Sequence, residues 1–170
     1  FRAFASYYTI CSDAPDAKSG KWETGPRMEL FSEVLKKFNK QRIIAEDLGT
    51  YGEDVAELLE NTGIKGMRVV QFGFADGDST HLPHNYSQNC HAYIGTHDNN
   101  TLLGWLWDLD DSKRKLVLEY CGFKGDDWGK GGYHSESCRA VIETVWKTAA
   151  SVAVIPLFPK GLSHTPPTVR

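Results

Sequence analysis

The segment Arg42-Ile43-Ile44-Ala45-Glu46-Asp47-Leu48-Gly49 contains the pattern that decides the fold. Its apolar residues predict a short buried strand over 42–45, and two carboxylates follow directly where that strand ends. Apolar residues at helical spacing over 55–59 then predict a helix, which a glycine, Gly63, is expected to stop. A strand followed by a helix is the unit from which parallel α/β sheets are built.

The same unit recurs further along the chain. Residues 67–72, 91–95 and 151–155 predict three more strands, and helical patterns lie between them. On the other side of the segment, Gly25-Pro26 predicts the start of another helix, because proline suits the first helical turn. Alternating strands and helices predict an α/β fold with a parallel sheet. Four strands fit both an open doubly wound sheet and half of a (β/α)8 barrel, and periodicity leaves both open.

Composition excludes several classes of function. The 170 residues are 41% hydrophobic and 24% charged with a net charge of -3, which is typical of a globular domain. There is no basic stripe, so a nucleic-acid partner is not expected. The longest apolar stretch, near 149–157, is too short to cross a bilayer, so a membrane partner is not expected either. Four cysteines without a CxxC pair favour reduced thiols in the cytoplasm. Oligomeric state cannot be inferred from these data.

Side chains suited to acid–base chemistry gather after the predicted strands. Glu46 and Asp47 follow the first strand, Asp76 lies past the second, and His97 and Asp98 follow the third. Loops at the carboxyl edge of a parallel sheet converge, so carboxylates from separate strands can meet there. Paired carboxylates beside a histidine suit glycoside chemistry, in which one group protonates the leaving oxygen and another attacks the sugar.

Each of these signals also has a structural interpretation. The carboxylates at 46–47 could cap the following helix, where the helix dipole favours negative charge. Residues 96–100 could form a turn and an N-cap, and Asp76 could be an ordinary turn residue. Trp105, Trp107 and Tyr86 could stack on sugar rings, although aromatic residues at helical spacing usually lie in a core.

A metal-binding domain is a further alternative. Histidines and a cysteine lie close together in the sequence, namely His81, His84, Cys90, His91 and His97. Zinc sites use these ligands, but the spacing follows no standard zinc motif. This alternative therefore has less support than a carbohydrate site.

Several stretches in a fixed order carry a resemblance to one known family. They are IIAEDLG at 43–49, GMRVVQF at 66–72, LPHNY at 82–86 and YIGTHDNNT at 93–101. Together with FRAFASYY at 1–8, they resemble the 4-α-glucanotransferases, also called amylomaltases or disproportionating enzymes (glycoside hydrolase family 77). The resemblance implies a (β/α)8 barrel, of which 1–156 would form roughly the last four β/α units. Residues 157–170 do not resemble the family and form a divergent tail.

The resemblance also implies a reaction and roles for particular residues. The family transfers segments of α-1,4-glucan to the 4-hydroxyl of glucose or another α-1,4-glucan by a retaining two-step mechanism. Glu46 matches the general acid/base, and Asp98 matches the carboxylate that stabilises the oxocarbenium-like transition state. His97 matches a sugar-binding histidine, and Phe72 and Asp76 match positions on the acceptor side. The implied partners are maltooligosaccharides and α-1,4-glucans, with no metal site and no organic cofactor.

One feature of the register limits what this chain can do alone. The nucleophilic aspartate of the family lies in an Arg-x-Asp-His run, which here would end directly before Phe1. We therefore expect the isolated chain to be inactive, and half a barrel would also leave two open sheet edges. Two other functions stay open: a non-catalytic glucan-binding fragment, and a related α-glucan hydrolase or branching enzyme.

Overall fold

The computed structural model describes residues 1–49, 52–75, 79–131 and 135–156. Asp76 and the 157–170 tail lie outside the described residues, so the predictions made for them remain predictions. The chain divides into two compact units, Phe1–Met67 and Arg68–Arg170. Within the described residues, no helix is long and apolar enough to cross a membrane.

The first unit opens with a short helix and a β-hairpin. Helix α1 (Arg2–Ala5) leads into strand β1 (Ser6–Thr9), which pairs antiparallel with β2 (Lys21–Thr24). Ser6 lies opposite Thr24, and Thr9 lies opposite Lys21. This hairpin is absent from the sequence-based predictions.

Two longer helices of the first unit confirm their predictions. Helix α2 (Arg27–Lys37) begins directly after Pro26, and α3 (Glu53–Thr62) ends at Gly63. Gly63 has a φ of 63°, a left-handed conformation that glycine adopts without a steric penalty. The buried core between these elements consists of Ala5, Phe31, Ala45, Val55, Leu58 and Ile64.

The strand predicted over 42–45 is wrong. Lys40–Arg42 forms a 3-10 turn instead, because the Asn39 side chain accepts a hydrogen bond from the Gln41 N–H at 2.9 Å. Only a single parallel bridge remains, between Ile44 and Lys65, supported by the Ala45 N–H bonding the Lys65 carbonyl at 3.0 Å. The chain still runs beside residue 65 at this point, so the following carboxylates keep a fixed position.

The second unit contains a small sheet flanked by helices. Strand order is β3 (Gly66–Val69), β4 (Cys90–Tyr93) and β5 (Val152–Val154), and β3 begins just before the division between the units. β4 and β5 are parallel, with His91 opposite Val152 and Tyr93 opposite Val154. The β4–β5 pair matches the predicted parallel pairing, and the mixture of strands and helices matches the predicted α/β class. The helices are α5 (Leu102–Asp108), α6 (Asp111–Tyr120) and α7 (Glu136–Trp146).

The strand predicted over 67–72 is too long. β3 ends at Val69, and Val70–Gly73 forms a helical turn, α4. Val70 is β-branched and suits a strand, but its fully buried side chain joins the core of the second unit, and tertiary packing overrides its propensity. That core also contains Leu106, Val117, Val141 and Val145 from the three helices. The turn leaves Gln71 and Phe72 at the carboxyl end of β3.

Candidate active site

Glu46 and Asp47 are adjacent in sequence but lie in opposite environments. The Asp47 side chain is only 7% exposed, and its Oδ1 accepts a hydrogen bond from the Met67 N–H at 2.6 Å. Gly66 makes this approach possible, because a Cβ there would collide with the Asp47 carboxylate. Glu46 is exposed. The buried carboxylate thus has a structural partner, and the exposed one is accessible to a ligand.

The capping interpretation of this pair does not hold for Asp47. Its carboxylate binds the start of β3, and the N-cap of α3 is Gly52, without a side-chain cap. The Glu46 main chain has a contact of its own, since its carbonyl accepts a hydrogen bond from the Phe1 nitrogen at 2.8 Å. The beginning of the chain therefore lies beside Glu46.

His97 and Asp98 lie on a tight turn after β4. The Asn99 N–H bonds the Thr96 carbonyl at 3.2 Å, and Asn99 Oδ1 accepts from the Thr96 N–H at 2.8 Å and the Thr96 hydroxyl at 2.9 Å. This turn leaves the side chains of His97 and Asp98 81% and 76% exposed, with Nε2 and Oδ1 3.3 Å apart. An imidazole and a carboxylate at the end of a strand can bind sugar hydroxyls together.

The turn-and-cap interpretation accounts for the neighbours of these two residues. Asn99 closes the turn, and Thr101 is the N-cap of α5, where its hydroxyl oxygen accepts from the Gly104 N–H at 3.1 Å. Neither role involves the exposed side chains of His97 and Asp98. Those two side chains thus remain candidates for ligand binding.

Phe72 lies on α4 with 37% of its surface exposed. Its ring forms a T-shaped pair with the His81 ring, at a centroid distance of 5.7 Å and an angle of 89°. His81 is anchored in turn, because its Nδ1 accepts from the Val69 N–H at 3.0 Å and its carbonyl accepts from the Tyr86 hydroxyl at 2.8 Å. The Phe72 ring therefore packs against an anchored His81 ring and is still partly exposed.

Tyr86 does not offer its ring to a sugar. The residue is buried, and burial raises the pKa of its hydroxyl well above the ordinary value, so the hydroxyl remains a donor to His81. Trp105 is half-buried against Phe74 at 6.1 Å, in the core, whereas Trp107 is exposed. Of the three aromatic residues considered for stacking, Trp107 is the most exposed, Trp105 is partly exposed and Tyr86 is buried.

One buried polar residue is missed by sequence reasoning. Gln71 interrupts the apolar run that contains Val69 and Val70, and its side chain is only 8% exposed. A single polar residue inside a buried apolar run is a usable signal, because such a group requires a hydrogen-bond partner.

The metal-site alternative has no geometric support in the part of the chain that is described. There, no three His, Cys, Asp or Glu side chains come together in a way that could hold a metal ion. His81 and His84 bond different partners, the Val69 N–H and the Tyr120 hydroxyl.

Comparison with known proteins agrees with the family resemblance of the sequence. Residues 1–159 match the family described as 4-alpha-glucanotransferase. The chain is 40% identical over 159 residues to the chloroplastic/amyloplastic 4-alpha-glucanotransferase DPE1 of Arabidopsis thaliana, covering 92% of this chain and 26% of that protein. It is 38% identical over 160 residues to the 4-alpha-glucanotransferase of Clostridium butyricum, covering 91% and 30% respectively.

A solved structure shows the same similarity in three dimensions. The amylomaltase from Streptococcus agalactiae in complex with acarbose superimposes with a TM-score of 0.78 at 32% sequence identity. The match covers 91% of this chain and 30% of the amylomaltase chain. The chain thus spans less than a third of the length of these relatives.

Proposed function

The chain belongs to the 4-alpha-glucanotransferase family, and we propose that it forms the C-terminal part of the catalytic barrel of such an enzyme. In this proposal it supplies roughly the last four β/α units of a (β/α)8 barrel. Support comes from the similarity to the Streptococcus agalactiae amylomaltase and from the alternation of short strands with helices. The substrates would be maltooligosaccharides and longer α-1,4-glucans, in line with the acarbose bound by that amylomaltase.

The exposed Glu46 carboxylate beside a buried, structurally engaged Asp47 is the observation that carries the proposal. Glu46 would protonate the glycosidic oxygen as the C1–O bond breaks, while a nucleophilic aspartate upstream of Phe1 attacks C1. In the second step, the 4-hydroxyl of the acceptor attacks C1 and displaces the aspartate carboxylate. The proton of this 4-hydroxyl passes to Glu46, and the new α-1,4 bond has retained configuration.

The contact between Phe1 and Glu46 supports this arrangement. The Phe1 nitrogen lies 2.8 Å from the Glu46 carbonyl oxygen, and two residues of extended chain span at most about 7 Å. An aspartate two residues before Phe1 would therefore lie close to Glu46. Retaining glycosidases need their two carboxyl groups about 5–5.5 Å apart, which is compatible with such a placement.

The other predicted site residues would bind the sugar. Asp98 would stabilise the positive charge that develops at the anomeric centre, and His97 would hydrogen-bond sugar hydroxyls. Phe72 and Asp76 would contact the acceptor. Transfer exceeds hydrolysis when an acceptor hydroxyl rather than water is positioned to attack, and an exposed aromatic ring such as Phe72 helps to exclude water.

The test uses the protein encoded by the same reading frame when that frame is extended upstream of Phe1. We call it the extended protein. With maltotriose as the sole sugar, we expect both shorter and longer products, for example glucose and maltopentaose from two maltotrioses. Only shorter sugars would indicate a hydrolase, and binding without turnover would indicate a non-catalytic glucan-binding protein. Glu46→Gln should lower the rate about 100-fold to 10,000-fold. Glu60→Gln, an exposed glutamate on α3, is the matched control and should leave the rate unchanged.

A further inference from the structure

Gln71 is a buried amide with a specific main-chain partner. It follows two fully buried valines, and its own side chain is 8% exposed. Its Nε2 donates a hydrogen bond to the Asn100 carbonyl at 3.0 Å, across 29 residues of sequence. Burying an amide is unfavourable unless it is hydrogen-bonded, so this bond accounts for the presence of a polar residue here.

The acceptor of this bond lies at the end of the turn that carries His97 and Asp98. The upstream side of the turn is held by the Asn99 side chain, which bonds the Thr96 N–H and hydroxyl. The downstream side, at the Asn100 carbonyl, is held by Gln71. Two side-chain amides thus fix the two sides of one short turn. A turn held in this way fixes the backbone positions from which the exposed side chains of His97 and Asp98 project.

Gly95 allows both amides to come this close. A Cβ at this buried glycine would lie 2.7 Å from Gln71 Nε2 and 3.3 Å from the Asn99 Cβ. The first distance is shorter than non-bonded atoms tolerate, so any side chain at 95 would displace the Gln71 amide. The glycine is therefore needed for close packing at this point.

We propose that Gln71 is a positioning residue for the turn that carries His97 and Asp98. It acts through the Asn100 carbonyl and does not touch the sugar itself. Phe72 is the next residue on α4. This one helical turn therefore positions both the Phe72 ring and, through Gln71, the turn that carries Asp98. The catalytic consequence rests on the proposed function, whereas the anchoring of the turn does not.

Three variants of the extended protein test this proposal. Gln71→Met keeps the length of the side chain but removes the donor, and Gln71→Glu places an acceptor against the Asn100 carbonyl. Gly95→Ala keeps Gln71 but displaces its amide and also crowds the Asn99 side chain, so it perturbs both anchors of the turn and is compared with Gln71→Met, which removes only one. Gln41→Met is the matched control, because Gln41 is an exposed residue of the first unit.

The first readout is amide hydrogen exchange over residues 96–101. We expect faster exchange at Thr96 and Asn99 in Gln71→Met and Gly95→Ala, and no change in the control. The second readout is the kinetics of maltotriose transfer. A misplacement of about 1 Å can cost about 100-fold in rate, so we expect kcat to fall about 10-fold to 100-fold, with a smaller change in KM. Gln71→Glu should lower kcat further than Gln71→Met.

Each outcome decides a separate point. Unchanged exchange at 96–101 in both Gln71→Met and Gly95→Ala would overturn the proposal. Faster exchange with an unchanged kcat would also overturn it, because the bond would then have no catalytic consequence. If the wild-type extended protein does not transfer glucan at all, the proposed function fails, and the exchange data alone decide whether Gln71 holds the turn.

Discussion

Replacing each of the adjacent carboxylates at 46 and 47 should separate stability from catalysis. The Asp47 carboxylate is nearly buried and accepts from the Met67 N–H at 2.6 Å, so Asp47→Ala leaves a buried donor without this acceptor. Such a loss costs about 1–3 kcal/mol in the free energy of unfolding. Asp47→Asn keeps an acceptor oxygen for the Met67 N–H, and losing the charge assistance of this bond should cost about 1 kcal/mol. Glu46 is exposed, so Glu46→Gln should change stability by less than about 0.5 kcal/mol.

Thermal unfolding and maltotriose transfer, both measured on the extended protein, give the two readouts. We expect Glu46→Gln to unfold at the same temperature as the wild type and to lose nearly all transfer activity. Asp47→Asn should keep most of the transfer activity. Asp47→Ala should unfold at a lower temperature than both Glu46→Gln and Asp47→Asn. The reasoning is refuted if Asp47→Ala is as stable as the wild type, or if Glu46→Gln retains full activity.

Three further expectations concern packing and reactivity. Burial raises the pKa of Cys121 to about 11, leaving about one thiolate in a thousand at pH 8, so an alkylating reagent should modify the exposed Cys11 first. The alkylation rate of Cys121 should rise as the pH approaches 11. Equal alkylation rates of Cys11 and Cys121 at pH 8, measured by peptide mass mapping, would contradict this. Thr101→Ala removes the N-cap of α5 and should cost about 1 kcal/mol by urea unfolding, whereas Thr101→Ser should cost less. Leu106→Ala, in the core, should cost about 2–5 kcal/mol, and Leu116→Ala, on the surface, less than about 0.5 kcal/mol; similar costs would contradict the packing described.

The longer helices could be predicted because their signals are local. Pro26 precedes α2 directly, and Gly63 ends α3 in a conformation that glycine favours. The β1–β2 hairpin could not be predicted in this way, since its strands are four residues each and pair across an 11-residue connection. The strand expected over 42–45 failed because a side-chain cap at Asn39 stabilises a 3-10 turn, which apolar periodicity does not report.

For the site, the sequence predicts which residue types gather but not how each is used. Strand position alone leaves Glu46 and Asp47 equivalent, and in the sequence only the family resemblance favours Glu46; the structure separates them, because the Met67 amide, 20 residues away, binds Asp47. The exposed pair of His97 and Asp98 follows its strand as predicted. Gln71 could not be assigned a role, because its partner is a main-chain carbonyl 29 residues away. When a side chain acts through a distant main-chain group, the only signal in the sequence is a polar residue within an apolar run.

The proposed acid/base role of Glu46 is tested most directly with two donors of different leaving-group chemistry. Maltotriose needs its departing oxygen protonated, whereas the fluoride of α-maltosyl fluoride departs without a proton. With Glu46→Ala in the extended protein, we therefore expect cleavage of maltotriose to fall about 100-fold to 10,000-fold, while release of fluoride by the first turnover stays close to wild type. Equal losses on both donors, or no loss on either, would contradict the assignment of Glu46 as the acid/base.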